Sequence, residues 1–224
     1  YDSFILSGRL IGGAKHHSPA NWKRKVNKID AYICILNIGY CNDDAYIKIH
    51  GDGSRAKRNK SVRLYYNDCI DLFDIGYCLD AGRVILRNSG NGSSERTYFT
   101  DAVMAIAFDG LNFGVQKYTP YTLFLNGEYH GVLNAREHVK KKYFNTNYQL
   151  SHKKIEYLKD NYKPIAGSNQ AWKSLESQLY EESSKETYNL LNENIALPSM
   201  YDYFSTQIFL VNTDWPSKNI GFWR

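Results

Sequence analysis

The residues with the clearest capacity for chemistry lie near the end of the chain, in the segment Asn212-Thr-Asp-Trp-Pro-Ser-Lys-Asn219. Four residues separate Asp214 from Asn219, and a polar loop can bring a carboxylate and a carboxamide at that spacing to one point. The carboxylate could accept a proton from an alcohol, while the amide oxygen could hold Mg²⁺. Asp, Asn and Pro are also ordinary loop residues, so a purely structural loop is the alternative.

A second candidate is the segment Gly51-Asp-Gly-Ser-Arg-Ala-Lys-Arg-Asn-Lys-Ser61, where a Gly and Ser turn precedes four basic residues. The backbone N–H groups of such a turn, with Lys or Arg nearby, can hold phosphate oxygens. Lys60, at the start of the next strand, could point at them. The segment lacks the Walker pattern GxxxxGK[ST], and a solvated hairpin loop is the alternative.

The elements that must position these residues begin as strands. Extended patterns predict strands over 31–38, 45–50, 61–66 and 83–87. Thr100 can cap a helix over 101–108, which Gly110 would stop. The sharpest local pattern is a hairpin of strands 121–125 and 128–133, because the intervening Asn126-Gly127 tolerates the positive φ angles of a type I′ turn.

Helical periodicity replaces the strand pattern beyond residue 134. It predicts helices over 136–147, from a cap at Ser168 through Leu179, over 184–192, and after Pro198-Ser199. The apolar residues of the last helix recur at three- and four-residue spacing and should bury one face: Met200, Tyr203, Phe204, Ile208 and Val211. The pattern indicates an α+β fold with a strand-rich part, 1–134, and a helical part, 135–224.

Composition excludes several classes of protein. The chain of 224 residues is 43% hydrophobic and 23% charged, which excludes a disordered protein and a small disulfide-stapled one. Its apolar runs fall short of the roughly 20 residues that a membrane span needs, so no membrane span is expected. The net charge of +5 favours anionic partners without requiring nucleic acid, and we expect none.

The cysteines bear on the cellular location of the protein, and the chain ends bear on whether the chain is a fragment. Cys34, Cys41, Cys69 and Cys78 lack CxxC spacing, so a zinc site is not expected. Two disulfides in a secreted protein and buried thiols are both compatible with these residues, since Cys34 lies in an apolar run. The chain begins at Tyr1 without Met and ends in an apolar strand at Arg224, which predicts an excised fragment.

Several motifs in order resemble the CotH (spore coat protein H) kinase family over roughly residues 45–224. The string from Tyr121 to Glu137 looks like that family's signature. Further segments are similar to family stretches in the same order: Gly51-Asp-Gly-Ser-Arg55 with Lys60-Ser61, Val84-Ile-Leu-Arg-Asn88, Lys142-Tyr-Phe144, and Asn212 through Asn219 with Trp223-Arg224. The Asp-x4-Asn spacing is also that of a protein-kinase catalytic loop.

The resemblance implies an atypical protein kinase with a two-lobed kinase-like fold, which uses ATP and Mg²⁺ to phosphorylate Ser or Thr of a partner protein. It implies that Asp214 is the catalytic acid–base group or lies beside the metal, and that Asn219 is a Mg²⁺ ligand. The residues implied to bind the nucleotide are Lys60, Arg55, Ser54, Arg87 and Glu137. A secreted, cell-surface or spore-coat location is implied as well.

Two departures from the family pattern affect these expectations. Thr100 stands where the family has an Arg before Asp101-Ala102. The family also has a further Asp, implied to be a second metal ligand, beyond the point where this sequence ends. We therefore expect this chain to be inactive by itself. The alternatives are a non-catalytic pseudokinase or structural coat or surface module, and a carbohydrate-associated domain suggested by the aromatic content.

Overall fold

The structure of the protein is a computed structural model that describes residues 28–51, 54, 59–76, 82–89, 97, 99–151, 153–181, 184–216 and 218–224, with the backbone alone at residues 101 and 184. The chain divides into two compact units. Unit one comprises the described residues up to Ala107 and Gln116–His138, and unit two comprises Phe108–Val115 and Val139–Arg224. No helix in these ranges is long and apolar enough to span a membrane.

Unit one is built around a six-stranded sheet in which every neighbouring pair is antiparallel. Helix α1 (Thr100–Ala107) lies between β4 and β5 in the chain. The strands, in their order across the sheet, are β1 (Ile29–Ile35), β2 (Tyr40–Ile49), β3 (Val62–Tyr65), β4 (Arg83–Arg87), β6 (Glu128–Glu137) and β5 (Tyr118–Leu125).

One face of this sheet forms the apolar core of unit one. Alternate residues of the strands are buried together there, and they include Val62, Leu64, Val84, Leu86 and Leu133. Their burial stabilises the unit by about 25 cal/mol per Å² of apolar surface removed from water. Because side chains alternate along a strand and cross-strand partners share a face, the residues in between belong to the opposite face.

The hairpin formed by β5 and β6 confirms the sharpest local prediction. Asn126 and Gly127 have φ angles of 52° and 81°, and both are positive, as a type I′ turn requires. The predicted helix over 136–147 is wrong at its start, because Arg136 pairs with both neighbouring strands. Cross-strand pairing overrides the local helical pattern there, and helix α2 (Lys141–Tyr148) begins five residues later.

The boundary between the two units follows from the same pairing. Since β6 pairs with β4 through Glu137, unit one continues to His138, whereas the sequence pattern placed the boundary after residue 134. The separate segment Phe108–Val115 belongs to unit two. Asn112 of this segment donates hydrogen bonds from its backbone N and from Nδ2 to the Asp202 carboxylate of unit two, at 2.9 and 2.7 Å. The division into kinase-like lobes stays a prediction.

In its described residues, unit two combines helices with a small antiparallel sheet. The helices are α2, α3 (Gln170–Glu181), α4 (Ser184–Asn194) and α5 (Leu197–Phe209), and the strands lie in the order β8 (Lys163–Ala166), β7 (Tyr157–Lys159) and β9 (Gly221–Trp223). The predicted cap of α3 is confirmed, because Ser168 Oγ accepts the N–H of Gln170 at 3.1 Å. Strands β7 and β8 are missed by the sequence pattern, since three or four residues are too few to establish alternation.

Helix α5 is buried over less of its length than predicted. Tyr203 and Phe204 pack against the ring of Trp215 at 6.0 and 5.2 Å between centroids. Ile208 and Val211, however, are 71% and 77% exposed. The helix ends at Phe209, and Val211 has a positive φ of 50°, so the helical spacing no longer applies to it.

The cysteines of β1 and β2 form a disulfide. Cys34 and Cys41 lie at paired positions of the two strands and are bonded to each other. Both are exposed, so the alternative of a buried Cys34 thiol is wrong, because the residue points away from the core. Cys69 is also disulfide-bonded, and Cys78 lies outside the described residues.

Candidate functional site

Asp214 and Asn219 meet on the loop between α5 and β9. Asn219 Nδ2 donates hydrogen bonds to Asp214 Oδ2 at 2.7 Å and to the Asp214 carbonyl oxygen at 3.2 Å. The carboxylate and the carboxamide that the sequence singled out are therefore side by side. Both side chains are exposed, so they are accessible to a ligand.

The end of α5 fixes where Asp214 lies. Asn212 Nδ2 donates to Gln207 Oε1 at 2.6 Å, and Asn212 Oδ1 accepts the N–H of Asp214 at 3.0 Å. This turn, in which the Asn side chain accepts the N–H two residues further along, is typical of Asn in loops. The next residue, Trp215, packs on the aromatic rings of α5 and so anchors the loop on the apolar side.

Asp160 is part of this site, although the sequence analysis did not identify it. Its Oδ1 accepts the N–H of Asn219 at 2.6 Å, and its own N–H donates to the Ile220 carbonyl oxygen at 3.2 Å. Asn219 has a positive φ of 60°, a conformation that Asn tolerates better than most residues. Asp160 thus holds the backbone of Asn219 from outside the loop.

Asp160 begins a turn between β7 and β8 with an uncommon backbone. Asp160, Asn161 and Tyr162 all have positive φ angles, 32°, 53° and 59°. The ring of Tyr162 stacks on Trp172 of α3 at 4.5 Å, and the Trp172 ring in turn stacks on Phe222 of β9 at 5.3 Å. The adjacent Asp-Asn pair, a favoured turn sequence, is the signal that could have identified this turn.

The charges at the site are exposed and weakly paired. Lys218 Nζ lies 3.0 Å from Asp214 Oδ1, with the two side chains 65% and 62% exposed. Such a pair contributes at most about 1 kcal/mol to stability, so a competing ligand can displace Lys218 readily.

The loop fits part of a Mg²⁺ site. Carboxylate and amide oxygens are the ligands that Mg²⁺ prefers, and the ion usually keeps several waters and phosphate oxygens in addition. Asp214 and Asn219 provide one oxygen donor group each. The described part of the chain contains no cluster of three or more His, Cys, Asp or Glu residues that could hold a metal.

Lys60, the predicted phosphate contact, is 1% exposed and lies two residues before the start of β3. Its neighbours are fixed by Asn88, whose Oδ1 accepts from Ser61 Oγ at 2.9 Å and whose Nδ2 donates to the Asn59 carbonyl oxygen at 2.6 Å. Burial, followed by the charge of Lys60, lowers the pKa of His130. Lys60 is therefore largely shielded from water, and its charge acts on the neighbouring His130.

The other predicted nucleotide contacts are dispersed. Arg87 is exposed at the end of β4, and Ser54 is half-buried, while Arg55 lies outside the described residues. Glu137 is 2% exposed, and its Oε2 accepts the N–H of Lys117 at 2.8 Å. The Glu137 carboxylate thus holds the backbone that leads into β5.

The comparisons with known proteins concern both the loop from Asp214 to Asn219 and the predicted nucleotide contacts such as Lys60. A family model described as CotH kinase protein matches residues 47–224. The chain belongs to this family. The matched range of the CotH chain includes both Lys60 and the loop from Asp214 to Asn219, and the resemblance identified from the sequence motifs is confirmed. No curated protein and no solved structure matched the chain.

Proposed function

We propose that this CotH chain is the catalytic part of an atypical protein kinase, which transfers the γ-phosphate of ATP to a Ser or Thr hydroxyl of a partner protein. The observation that carries the proposal is the contact between the Asp214 carboxylate and the Asn219 carboxamide on an accessible polar loop. Family membership supports a kinase-like function in general. The Ser/Thr acceptor and the individual roles of the residues are our proposal.

In the proposed reaction, Asp214 accepts the proton of the substrate hydroxyl while the hydroxyl oxygen forms a bond to the γ-phosphorus. The bond between that phosphorus and the β–γ bridging oxygen breaks, and the electron pair leaves with ADP. Asn219 Oδ1 and an Asp214 oxygen would hold Mg²⁺, which would supply positive charge to neutralise the phosphates. Lys60 and Arg87 bind phosphate oxygens, with Ser54, Arg55 and Glu137 as further nucleotide contacts.

The disulfide between Cys34 and Cys41 supports a location outside the cytosol. Structural disulfides persist in oxidising compartments and are rare in cytosolic proteins. We propose that the protein acts in a secreted, cell-surface or spore-coat setting, where its partner protein would also be found. Retention of this disulfide in protein isolated from its natural source, assayed by thiol alkylation and mass spectrometry, tests the location.

A second candidate function is that of a non-catalytic module, either a pseudokinase or a structural coat or surface domain that binds carbohydrate or protein. The observation that favours it is that each carboxylate oxygen of Asp214 has a partner, Asn219 Nδ2 for one and Lys218 Nζ for the other. The loop is thereby held without any ligand. A catalytic role requires Lys218 to move away from the Asp214 carboxylate when the nucleotide or acceptor binds.

Phosphate transfer by the longest natural form of the protein separates the two candidates. The protein is incubated with ATP, Mg²⁺ and a Ser-rich acceptor, and phosphosites are mapped by mass spectrometry. The Asp214→Asn variant removes the base while keeping the side-chain shape, and Asp109→Asn makes the same change at an exposed position of unit two. Phosphate on Ser or Thr with the wild type and Asp109→Asn, but not with Asp214→Asn, supports the kinase. No phosphate with any of them supports the second candidate.

A further inference from the structure

Three consecutive residues between β7 and β8 adopt left-handed backbone conformations. Asp160, Asn161 and Tyr162 have φ angles of 32°, 53° and 59°, and none of them is glycine. Asp and Asn tolerate such angles at modest cost, but a bulky aromatic residue seldom adopts them. The backbone at Tyr162 is therefore strained, and strain of this kind persists only where the surrounding contacts enforce it.

The contacts that enforce this conformation are made by Tyr162 itself. Its ring stacks on Trp172 of α3, with 4.5 Å between centroids and 21° between planes, and lies 5.7 Å from the ring of Phe222 of β9. Trp172 and Phe222 stack on each other at 5.3 Å, and we call these three residues the aromatic stack. Asn169 Nδ2 also donates a hydrogen bond to the Tyr162 carbonyl oxygen at 3.2 Å.

Trp172 takes part in the stack while its indole N–H stays unpaired. Trp172 Nε1 is buried and has no hydrogen-bond partner within the described residues. A buried indole usually donates to a nearby acceptor, because leaving the group unpaired costs free energy. The position of Trp172 is therefore set by its ring contacts with Tyr162 and Phe222 rather than by polar pairing.

The aromatic stack reaches Asn219 by two routes. Tyr162 ends the turn that begins with Asp160, whose Oδ1 accepts the Asn219 N–H at 2.6 Å. Phe222 follows Asn219 by three residues and pairs with Leu158 of β7. Asn219 is thus held through the turn on one side and through β9 on the other, and both routes lead to the same three rings.

The Asn219 carboxamide depends on its backbone for its position. Asn219 Nδ2 donates to the Asp214 carboxylate at 2.7 Å, and both residues are exposed, so apolar packing holds neither group. A displacement of about 1 Å can lower a rate by about 10²-fold when it misplaces a reacting group. A loose backbone at Asn219 would therefore impair any chemistry that uses this pair.

We propose that Tyr162 is a positioning residue of the candidate site. By stacking on Trp172 it keeps the left-handed turn in place, and the turn, through Asp160, sets the Asn219 carboxamide against Asp214. The effect of Tyr162 on the rate of phosphate transfer rests on the proposed kinase function, whereas its effect on the order of the loop does not.

Hydrogen exchange of the Asn219 amide tests the proposal without requiring catalysis. Exchange is measured by mass spectrometry with residue-level fragmentation in the longest natural form of the protein, and kcat and KM for ATP are measured on the same preparations. Tyr162→Leu removes the ring, Tyr162→Phe keeps it, and Tyr180→Leu makes the same change at an 85% exposed position of α3. Asn169→Ala removes the hydrogen bond to the Tyr162 carbonyl oxygen and remains informative if Tyr162→Leu does not fold.

The Asn219 amide should exchange about tenfold faster in Tyr162→Leu than in the wild type, and by a smaller factor in Asn169→Ala, while the amides of α5 keep their wild-type rates. In both variants kcat should fall and KM for ATP should change little. Tyr162→Phe and Tyr180→Leu should match the wild type in exchange and in kcat.

Wild-type exchange of the Asn219 amide in both variants, or in Asn169→Ala alone if Tyr162→Leu does not fold, would overturn the proposal. Faster exchange that extends equally to α5 would also overturn it, because Tyr162 would then be a general packing residue. Faster exchange confined to the loop, with no phosphate transfer by the wild type, would retain the positioning of the loop and reject the kinase. Phosphate transfer with unchanged kcat in Tyr162→Leu would retain the kinase and reject the positioning role.

Discussion

Replacing Asp160 by Ala should loosen the loop that carries Asp214 and Asn219. The lost interaction is the 2.6 Å hydrogen bond from Asn219 N–H to the Asp160 carboxylate. Such bonds to charged groups contribute about 1.5–3 kcal/mol, and the 39% exposure of the Asp160 side chain reduces this to about 1 kcal/mol, because water replaces part of it. Ala at the positive φ of 32° adds about 1 kcal/mol of backbone strain.

The two contributions together predict a loss of about 2 kcal/mol, or about 4–8 °C in melting temperature for a chain of this size. Because Asn219 shifts with its backbone, kcat for phosphate transfer should fall while KM for ATP changes little. Asp160→Asn keeps an oxygen acceptor and tolerates a positive φ, so it should retain most of the wild-type kcat and stability. Both variants are compared with the wild type by thermal unfolding and by steady-state transfer rates in the longest natural form of the protein.

Two results would refute this reasoning. In the first, Asp160→Ala transfers phosphate at the wild-type kcat per folded molecule, which would show that Asn219 does not depend on the turn. In the second, Asp160→Asn loses as much stability and kcat as Asp160→Ala, which would show that the negative charge matters and the hydrogen bond does not.

Three further variants test the packing and electrostatics of the two units. Replacing both Cys34 and Cys41 by Ser opens a short loop with a sequence separation of seven and should cost about 2.5 kcal/mol in urea unfolding; an unchanged midpoint would contradict this. Burial raises the pKa of Asp71, but N–H donors from Ile75, Gly76 and Phe73 outweigh it and set the pKa below the usual value. The stability that ionised Asp71 provides is therefore present above about pH 4 and lost as pH falls through the lower pKa of the folded state. Asp71→Asn should destabilise the protein at pH 7, and its stability should fall less steeply with pH in the acid range. If urea unfolding keeps the wild-type pH dependence, Asp71 has no such role. Phe144→Ala removes a fully buried ring that lies 5.2 Å from the rings of both Tyr157 and Trp223. The free energy of unfolding of unit two should therefore fall by about 3–5 kcal/mol, which tryptophan fluorescence should report. A smaller loss than that of Ile165→Ala, at a 40% exposed position, would be inconsistent with this packing.

Local signals predicted much of unit one because several of its strands, and the turn of one hairpin, have recognisable sequence patterns. The Asn126-Gly127 turn specified its hairpin, and the predicted bounds of β4 match the observed Arg83–Arg87. Arg136 was misassigned because its conformation is set by pairing with Ile85 and Tyr118. Such nonlocal pairing leaves no periodic signal in the segment itself.

The candidate site was predictable only where it is local in sequence. Asp214 and Asn219 share one loop, so their spacing was enough to bring them together. Asp160 reaches that loop from a sequence separation of 59, and its turn carries no apolar pattern that could be recognised. The burial of Lys60 could not be predicted from the sequence either, because a basic stretch such as 55–60 is typical of a solvated loop.

The most direct test of a catalytic Asp214 is the single-turnover rate of phosphate transfer by the Asp214→Asn variant, measured together with its affinity for ATP. Removing a general base should lower the rate by about 10²–10⁴-fold, while the affinity and the melting temperature stay close to the wild type, because the side chain is 62% exposed and its pair with Lys218 is weak. Lys218→Gln, which removes the partner and keeps the base, should retain the wild-type rate. Transfer by Asp214→Asn at the wild-type rate would contradict the proposed mechanism.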